Sequence, residues 1–330
     1  MRRPKSSQSK TELVWDGRAS QWSRGSEGLV PGGDTNLWMC AQDAGTEIWA
    51  HFTRLERRFG RYDVEPLRLD TCSDKLRELL IESVPYNTGR DDLCGAVAHF
   101  STMVAQEFII DGLMPFELQA GWNQSAEISG AEAIRLVFVY PESMTKLGRW
   151  LHQTVPPHKS HESTESRVIR LDPGRIVTFE PPHHYQRPLA RMRSGFPLIG
   201  QSEHEWMMNA GTQQPYEDFE AVARSYRVCR ARLSAPIGWN GRGLFRDHVT
   251  DFHWVLRQLR WQRFCINIRD AILTTLAEVF AKVGEWQGES PRLVWEHLPT
   301  LEQVQHAESQ IMGGGARFDE VLKPFSLSNE

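Results

Sequence analysis

No catalytic signature stands out in this chain. It has no GxxxxGK[ST] phosphate loop, no GxGxxG fingerprint, no HExxH, no GxSxG and no DFG, so the chemistries those motifs position have no support here. The glycines of IMGGGAR follow a helical stretch and are better suited to end a helix than to cradle a phosphate. Cysteine is scarce. Cys40, Cys72, Cys94, Cys229 and Cys265 are odd in number, widely spaced and without a CxxC pair, which argues for reduced thiols in a cytosol-like compartment and against a zinc ribbon. Long apolar runs are missing as well. Nothing approaches the roughly 20 apolar residues that cross a bilayer, and the basic start MRRPKSSQSK leads into no signal-peptide core. The expectation is a soluble chain with no membrane partner and no cofactor.

What is present is a charge imbalance. Between Arg224 and Arg269 lie ten arginines, two acids (Asp247 and Asp251) and no lysine, a local balance of +8 in a chain whose net charge is -4. The remainder therefore carries -12, and the whole chain is not a general polyanion binder. Guanidinium binds phosphate or carboxylate in a fork and stacks on rings, whereas an ammonium is a hydrated point charge. Arg224, Arg227, Arg230, Arg232, Arg242, Arg246, Arg257, Arg260 and Arg263 are thus candidates for contact with nucleic-acid phosphates or with the acidic surface of a neighbouring subunit. A solvated charged face is the bland alternative. Twelve tryptophans are many for 330 residues and point to extended subunit contacts, with Trp254 and Trp261 as interface aromatics.

The periodicities predict a mixed α+β fold, helix-rich, with a small antiparallel sheet or hairpin region followed by long helices. Residues 1–45 are polar and glycine-rich and suit a flexible arm that orders on a partner. Residues 46–215 form an α+β body, 216–284 a long-helix region and 285–330 a C-terminal helix and tail. Thr46 is placed as the cap of a helix ending near Phe59. Helices are expected over Asp74–Ser83 and up to Gly112, then strands in MPFELQA and AIRLVFVY, and a short helix over Met144–Thr154. Arg167–Phe179, with Pro173-Gly174 at its centre, is drawn as a hairpin. The segment from Thr250 to Val283 has two apolar stripes. One is Phe252, Leu259, Ile266, Leu273 and Phe280; the other is Trp254, Trp261, Ile268, Ile272 and Val279. A helix apolar on opposed faces is buried from both sides, either as the central helix of a monomer or wedged between one subunit and the next in a ring. Thr300 and Gln303 form a capping box for a last helix.

Histidine is the best enzymatic material. His158 and His161 lie in a Ser/Pro-rich loop, and His183 and His184 follow the proposed hairpin, where adjacent strand residues point to opposite faces. Converged with Glu162 they would hold a metal for a metal-dependent hydrolase; exposed loop histidines are the simpler reading. Asp91 and Asp92 suit a helix dipole better than a metal. Cys94 follows them without a partner base.

The order of parts resembles a tailed-bacteriophage portal protein. The resemblance rests on FSTMVAQEFIIDGLMPFELQ (helix into strand), VIRLDPGRIVTFEPP (strand, turn, strand, proline break), RPLARMRSGFPLIGQSEHEW, and the end LPTLEQVQHAESQIMGGGARFDEVLKPF, loosely from Asp91 to Phe325. It implies a homo-oligomeric ring, commonly a dodecamer, in the virion, assembled in the host cytoplasm. Double-stranded DNA passes through the ring. The large terminase subunit docks on it, and capsid and head-completion proteins bind it. The chain itself is then not an enzyme, because ATP chemistry belongs to the motor. A nucleic-acid-binding protein using 224–269 and the metal-dependent hydrolase are the alternatives.

Overall fold

The computed structural model describes residues 13–19, 35–59, 66–85, 92–123, 131–155, 166–210, 216–241, 250–315, 317–322 and 325. Three long helices form its centre: α1 (Thr35–Phe59), α3 (Leu93–Ile110) and α6 (Asp251–Gln287), with the shorter α2 (Asp74–Ser83) between the first two. Thr46 lies inside α1 rather than capping it. The Gly45-Thr46 pair that resembles a helix start is a packing site. A Cβ on Gly45 would stand 2.7 Å from Gln106 and 2.9 Å from Thr102 of α3, so glycine lets the two helices approach closely. By length and composition α3 is apolar enough to cross a bilayer. Here its Val97, Phe100, Val104 and Phe108 are buried in the protein core. Asp92 caps it, accepting a hydrogen bond from the Gly95 amide, which gives that acid a structural task.

The larger sheet is organised by one long strand. β3 (Met114–Asn123) pairs with β4 (Ala133–Phe138) along one side. Along its other side β8 (Ile176–Phe179) takes the first half and β1 (Leu13–Trp15) the second, all antiparallel. Period-2 alternation turns Phe116, Leu118 and Ala120 into the main core and sets Glu117 and Gln119 on the opposite face. A second antiparallel sheet holds β5 (Met144–Leu147), β6 (Trp150–Val155) and β7 (Arg167–Leu171). The expected helix over Met144–Thr154 is therefore a hairpin, turned at Gly148 with φ 61°.

The Arg167–Phe179 patch is two strands that do not pair with each other. β7 joins β6 and β8 joins β3. Between them Pro173–Arg175 makes one 3-10 turn, with Asp172 accepting from the Gly174 amide at 2.9 Å. A two-residue hairpin needs positive φ in its turn. Proline locks φ negative, so the chain is led out of one sheet into the other. A third, two-stranded ladder joins β2 (Leu67–Asp70) to β9 (Arg292–Trp295), and Arg68 forks onto Glu296 at 3.0 and 3.2 Å across it.

The remaining helices are α4 (His183–Ala210), with Pro188 and Pro197 inside it, α5 (Tyr216–Ser234), α7 (Leu301–Met312) and α8 (Phe318–Leu322). The capping box of Thr300 and Gln303 opens α7 as expected. The fold is a helix-dominated α+β arrangement with small antiparallel sheets.

Two cores meet on α6. The main one takes Phe264, Ile268, Ile272, Leu276, Val279 and Phe280 against α1, α3 and the larger sheet. A smaller one joins Val255, Leu259 and Ile266 to Val304, Ala307 and Ile311 of α7 and Val321 of α8. Both apolar faces of the helix are thus covered within one chain, and no second subunit is needed to bury them. The Phe252 seam crosses between the two: Leu259 and Ile266 lie in the small core, Leu273 and Phe280 in the main one.

Candidate interface around the arginine-rich helices

The arginines separate into an internal and an external set. Arg230 is buried on α5 and pairs with Glu203 of α4. Arg263 pairs with Glu308 of α7. Arg257 turns back from α6 and donates to the Trp239 carbonyl (Nε, 2.9 Å), the Ala231 carbonyl (Nη2, 3.0 Å) and the Ser234 hydroxyl (Nη2, 2.7 Å). Burial, with Arg260 nearby, lowers its pKa to about 10. These three side chains fasten α5 and α6 to their own chain. Of the candidates for phosphate or a neighbouring subunit, Arg230 and Arg257 thus have partners within the chain, while Arg263 pairs with Glu308 and keeps about a third of its side chain exposed. Arg224, Arg232 and Arg260 are exposed and Arg227 is half-buried. Arg224 lies 3.6 Å from Glu220 one turn earlier, a spacing worth a few tenths of a kcal/mol. Arg242 and Arg246 lie outside the described residues.

The tryptophans divide likewise. Trp261 is buried and stacks on Phe264 at 5.4 Å, so it belongs to the main core and offers no surface. Trp254 is half-buried and packs on the small core beside α7 and α8.

The α5–α6 joint is built around Trp239. Its indole donates to Asp43 Oδ2 of α1 at 2.9 Å, and its carbonyl accepts from Arg257 and from Ser234 Oγ at 3.0 Å. Gly238 holds φ 82° beside it, and a Cβ there would lie 2.5 Å from the Arg257 carbonyl oxygen. The PIGWNG segment is thus a fitted corner and not a loose linker.

On the other side of α6, Arg269 is 2% exposed. It donates to Asp270 (2.7 and 2.9 Å) and to the Pro299 carbonyl (2.8 Å), and its Nη1 lies 3.4 Å from His51 Nδ1. Burial lowers the Arg269 pKa and pushes the Asp270 carboxyl up, the latter against the pull of Arg269 itself. A cleft of about 370 Å³ opens beside this pair, lined also by Trp295, Glu296, His297 and Glu302.

The histidine reading finds no geometry. His183 and His184 do not end a strand; they open α4, both exposed, with His184 against Tyr185 at 4.0 Å. The proline pair before them stops β8 and releases the chain into a helix. His158 and His161 lie outside the described residues. Among the described residues no group of three His, Cys, Asp or Glu side chains is placed to hold a metal.

No protein-family model matches the chain, and no curated protein matches it. Among solved structures, a chain from the neck of a native GTA particle computed with C12 symmetry is similar at 12% identity and a TM-score of 0.37, over 91% of this chain and 95% of that one. At that TM-score the likeness carries no argument about this protein.

Proposed function

We propose that this chain is a structural subunit of a tailed-phage-type particle, a portal-like protein whose copies close into a ring around a DNA channel. In this reading the ring docks the large terminase subunit and later the head-completion proteins, and the chain performs no chemistry of its own. The observation that carries it is the exposed surface left on α4 and α5. Leu198 is 64% exposed and Met208 is 73% exposed. The exposed Arg224 and Arg232 follow on the next helix, α5, beyond the acids Glu203, Glu205 and Glu220. Exposed large apolar groups with charges of both signs around them suit a surface covered by another molecule. A head-to-tail contact, basic patch on acidic patch, closes into a ring when its rotation allows. The segment order behind the portal resemblance is also present: α3 runs into β3, a 3-10 turn joins β7 to β8, and a proline break opens α4.

Light scattering of the purified chain tests this directly. A ring gives a mass many times 37.9 kDa and a central hole in negative stain. A particle of single-chain mass at every concentration, with the other head proteins supplied, ends the reading.

Exposed arginine also favours a second reading, nucleic-acid binding through α5 and α6. The salt dependence of duplex-DNA affinity discriminates between the arginine sets. Each phosphate contact adds about -0.9 to the slope of log K against log salt, so Arg224, Arg232 and Arg260 give a slope of about -3, and Arg242 and Arg246 at most about -2 more. A slope of about -9, the value for all ten arginines, would contradict the internal ties of Arg230, Arg257, Arg263 and Arg269.

A further inference from the structure

The far half of the β3 edge is a fitted receptor for an extended peptide. Its present occupant is the segment Leu13–Ala19. Leu13, Val14 and Trp15 extend the ladder opposite Asn123, Trp122 and Gly121, and the next rung is the Asp16 amide on the Ala120 carbonyl at 3.1 Å. Each following residue of the segment has its own counterpart. Trp15 lies over Gly121, where a Cβ would stand 3.2 Å from its ring, and the Arg135 guanidinium covers the indole at 3.8 Å. Asp16 accepts from the Ala120 amide at 2.8 Å and pairs with Arg175. Gly17 passes against Gln119, whose side-chain nitrogen would be 2.5 Å from a Cβ. Glu117, 1% exposed, accepts from the Arg18 and Ala19 amides at 2.9 and 2.7 Å.

This is more than the blunting of a sheet edge. A buried carboxylate without donors is costly, and among the described residues Glu117 receives two donors from the segment and a third from Gln119. The receptor therefore needs a strand in place; Gly121 and Arg135 suit Trp15, Arg175 suits Asp16, and the close Gln119 suits Gly17. Strand addition of this kind is a recurrent mode of recognition between chains, with ladder bonds giving affinity and side-chain pockets giving specificity.

The connection to the rest of the chain leaves the source of the strand open to exchange. Residues 20–34 separate Ala19 from Thr35, and fifteen residues reach at most about 50 Å by any path. Alone, a chain supplies its own segment at high effective concentration. Beside a second copy, an identical receptor is offered to the same segment. We propose that in the assembled protein the Leu13–Ala19 strand of one copy occupies the β3 edge of the next, a head-to-tail exchange that links successive subunits. The proposal rests on the ring reading above and names the partner of one of its contacts: another copy of this chain.

Val14 and Trp122 face each other across the ladder and are both exposed, at 43% and 37%. Two full-length variants, Val14→Cys and Trp122→Cys, each also carrying Cys229→Ser, are co-expressed under different tags, oxidised and run on a non-reducing gel. Exchange yields a species of twice the chain mass that holds both tags and disappears on reduction. The double variant Val14→Cys/Trp122→Cys then yields a ladder of linked chains. The proposal is overturned if the sample is oligomeric by light scattering while the double variant closes only within single chains. It is overturned equally if neither pair oxidises, because the ladder register would then be wrong. A sample of single-chain mass throughout sinks the ring reading instead, which separates the two failures.

Discussion

Gly238→Ala lowers stability by about 3 kcal/mol or more, read as a fall in the urea midpoint at constant slope. Two costs combine. The residue holds φ 82°, where a Cβ costs about 1 kcal/mol. The added carbon would also press on the backbone of α6, at the Trp261 nitrogen and the Arg257 carbonyl. Backbone in the middle of a buried helix cannot swing aside as a side-chain tip can. Gly148 is the control: its φ is 61°, yet nothing lies within 4 Å of its Cβ position, so Gly148→Ala costs about 1 kcal/mol. Equal losses at the two positions would show that φ alone matters and that the close approach at Trp261 does not. The joint affected is the one that Arg257 and Asp43 hold from either side, so Gly238→Ala also loosens the docking of α5.

Arg269→Met removes about 2 kcal/mol, less than the roughly 3–5 kcal/mol of a pair buried on both sides, because Asp270 keeps 36% of its side chain in solvent. The Pro299 carbonyl and Asp270 lose their donor together. The pH dependence identifies the cause. Burial already holds the Asp270 carboxyl above its ordinary value of 3.8, so the folded state binds the proton more tightly than the unfolded one. Its contribution to stability is therefore full below that ordinary value and is lost as pH rises through the folded value. Without Arg269 beside it the folded value rises further. The deficit of Arg269→Met against the parent is consequently smaller near pH 4 than near neutrality. A deficit that does not change with pH would assign the loss to packing.

Most helices were legible in the sequence because their signals are local. Asp74–Ser83 has its own cap, and Thr300 and Gln303 announce α7 within four residues. Readings failed where the deciding contact was distant. Gly45 looks like punctuation until α3 is seen against it. Met144–Thr154 has the right composition for a helix, but Gly148 turns it into a hairpin that β7 then completes. The Pro-Gly turn at 173–174 suggested a hairpin because chain neighbours usually pair; each strand instead found a partner elsewhere. Charge counting found the arginine-rich stretch but could not tell Arg230, committed to Glu203, from the exposed Arg232. The receptor on β3 left one faint mark, a glutamate and a glutamine alternating with apolar residues in MPFELQA. Strand periodicity places both on one face, and that face had to be either wet or satisfied. What satisfies it lies about a hundred positions earlier, in a stretch that composition alone assigns to a tail.

The β5–β6–β7 sheet hangs from the larger one by two short legs, the Val139–Ser143 connection and the Asp172–Arg175 turn, with Val139, Ile169 and Leu171 forming a small apolar joint between them. A body held by one strand can swivel. Held by two, it cannot rotate about either without stretching the other. Two legs and the packing around Val139 fix the small sheet's orientation on the larger one. Arg175, at the foot of one leg, reaches Asp16 on the first strand and stands 5.4 Å from the Trp286 ring near the end of α6. One side chain at the foot of the small sheet thus touches both the seat of the N-terminal strand and the last turns of α6.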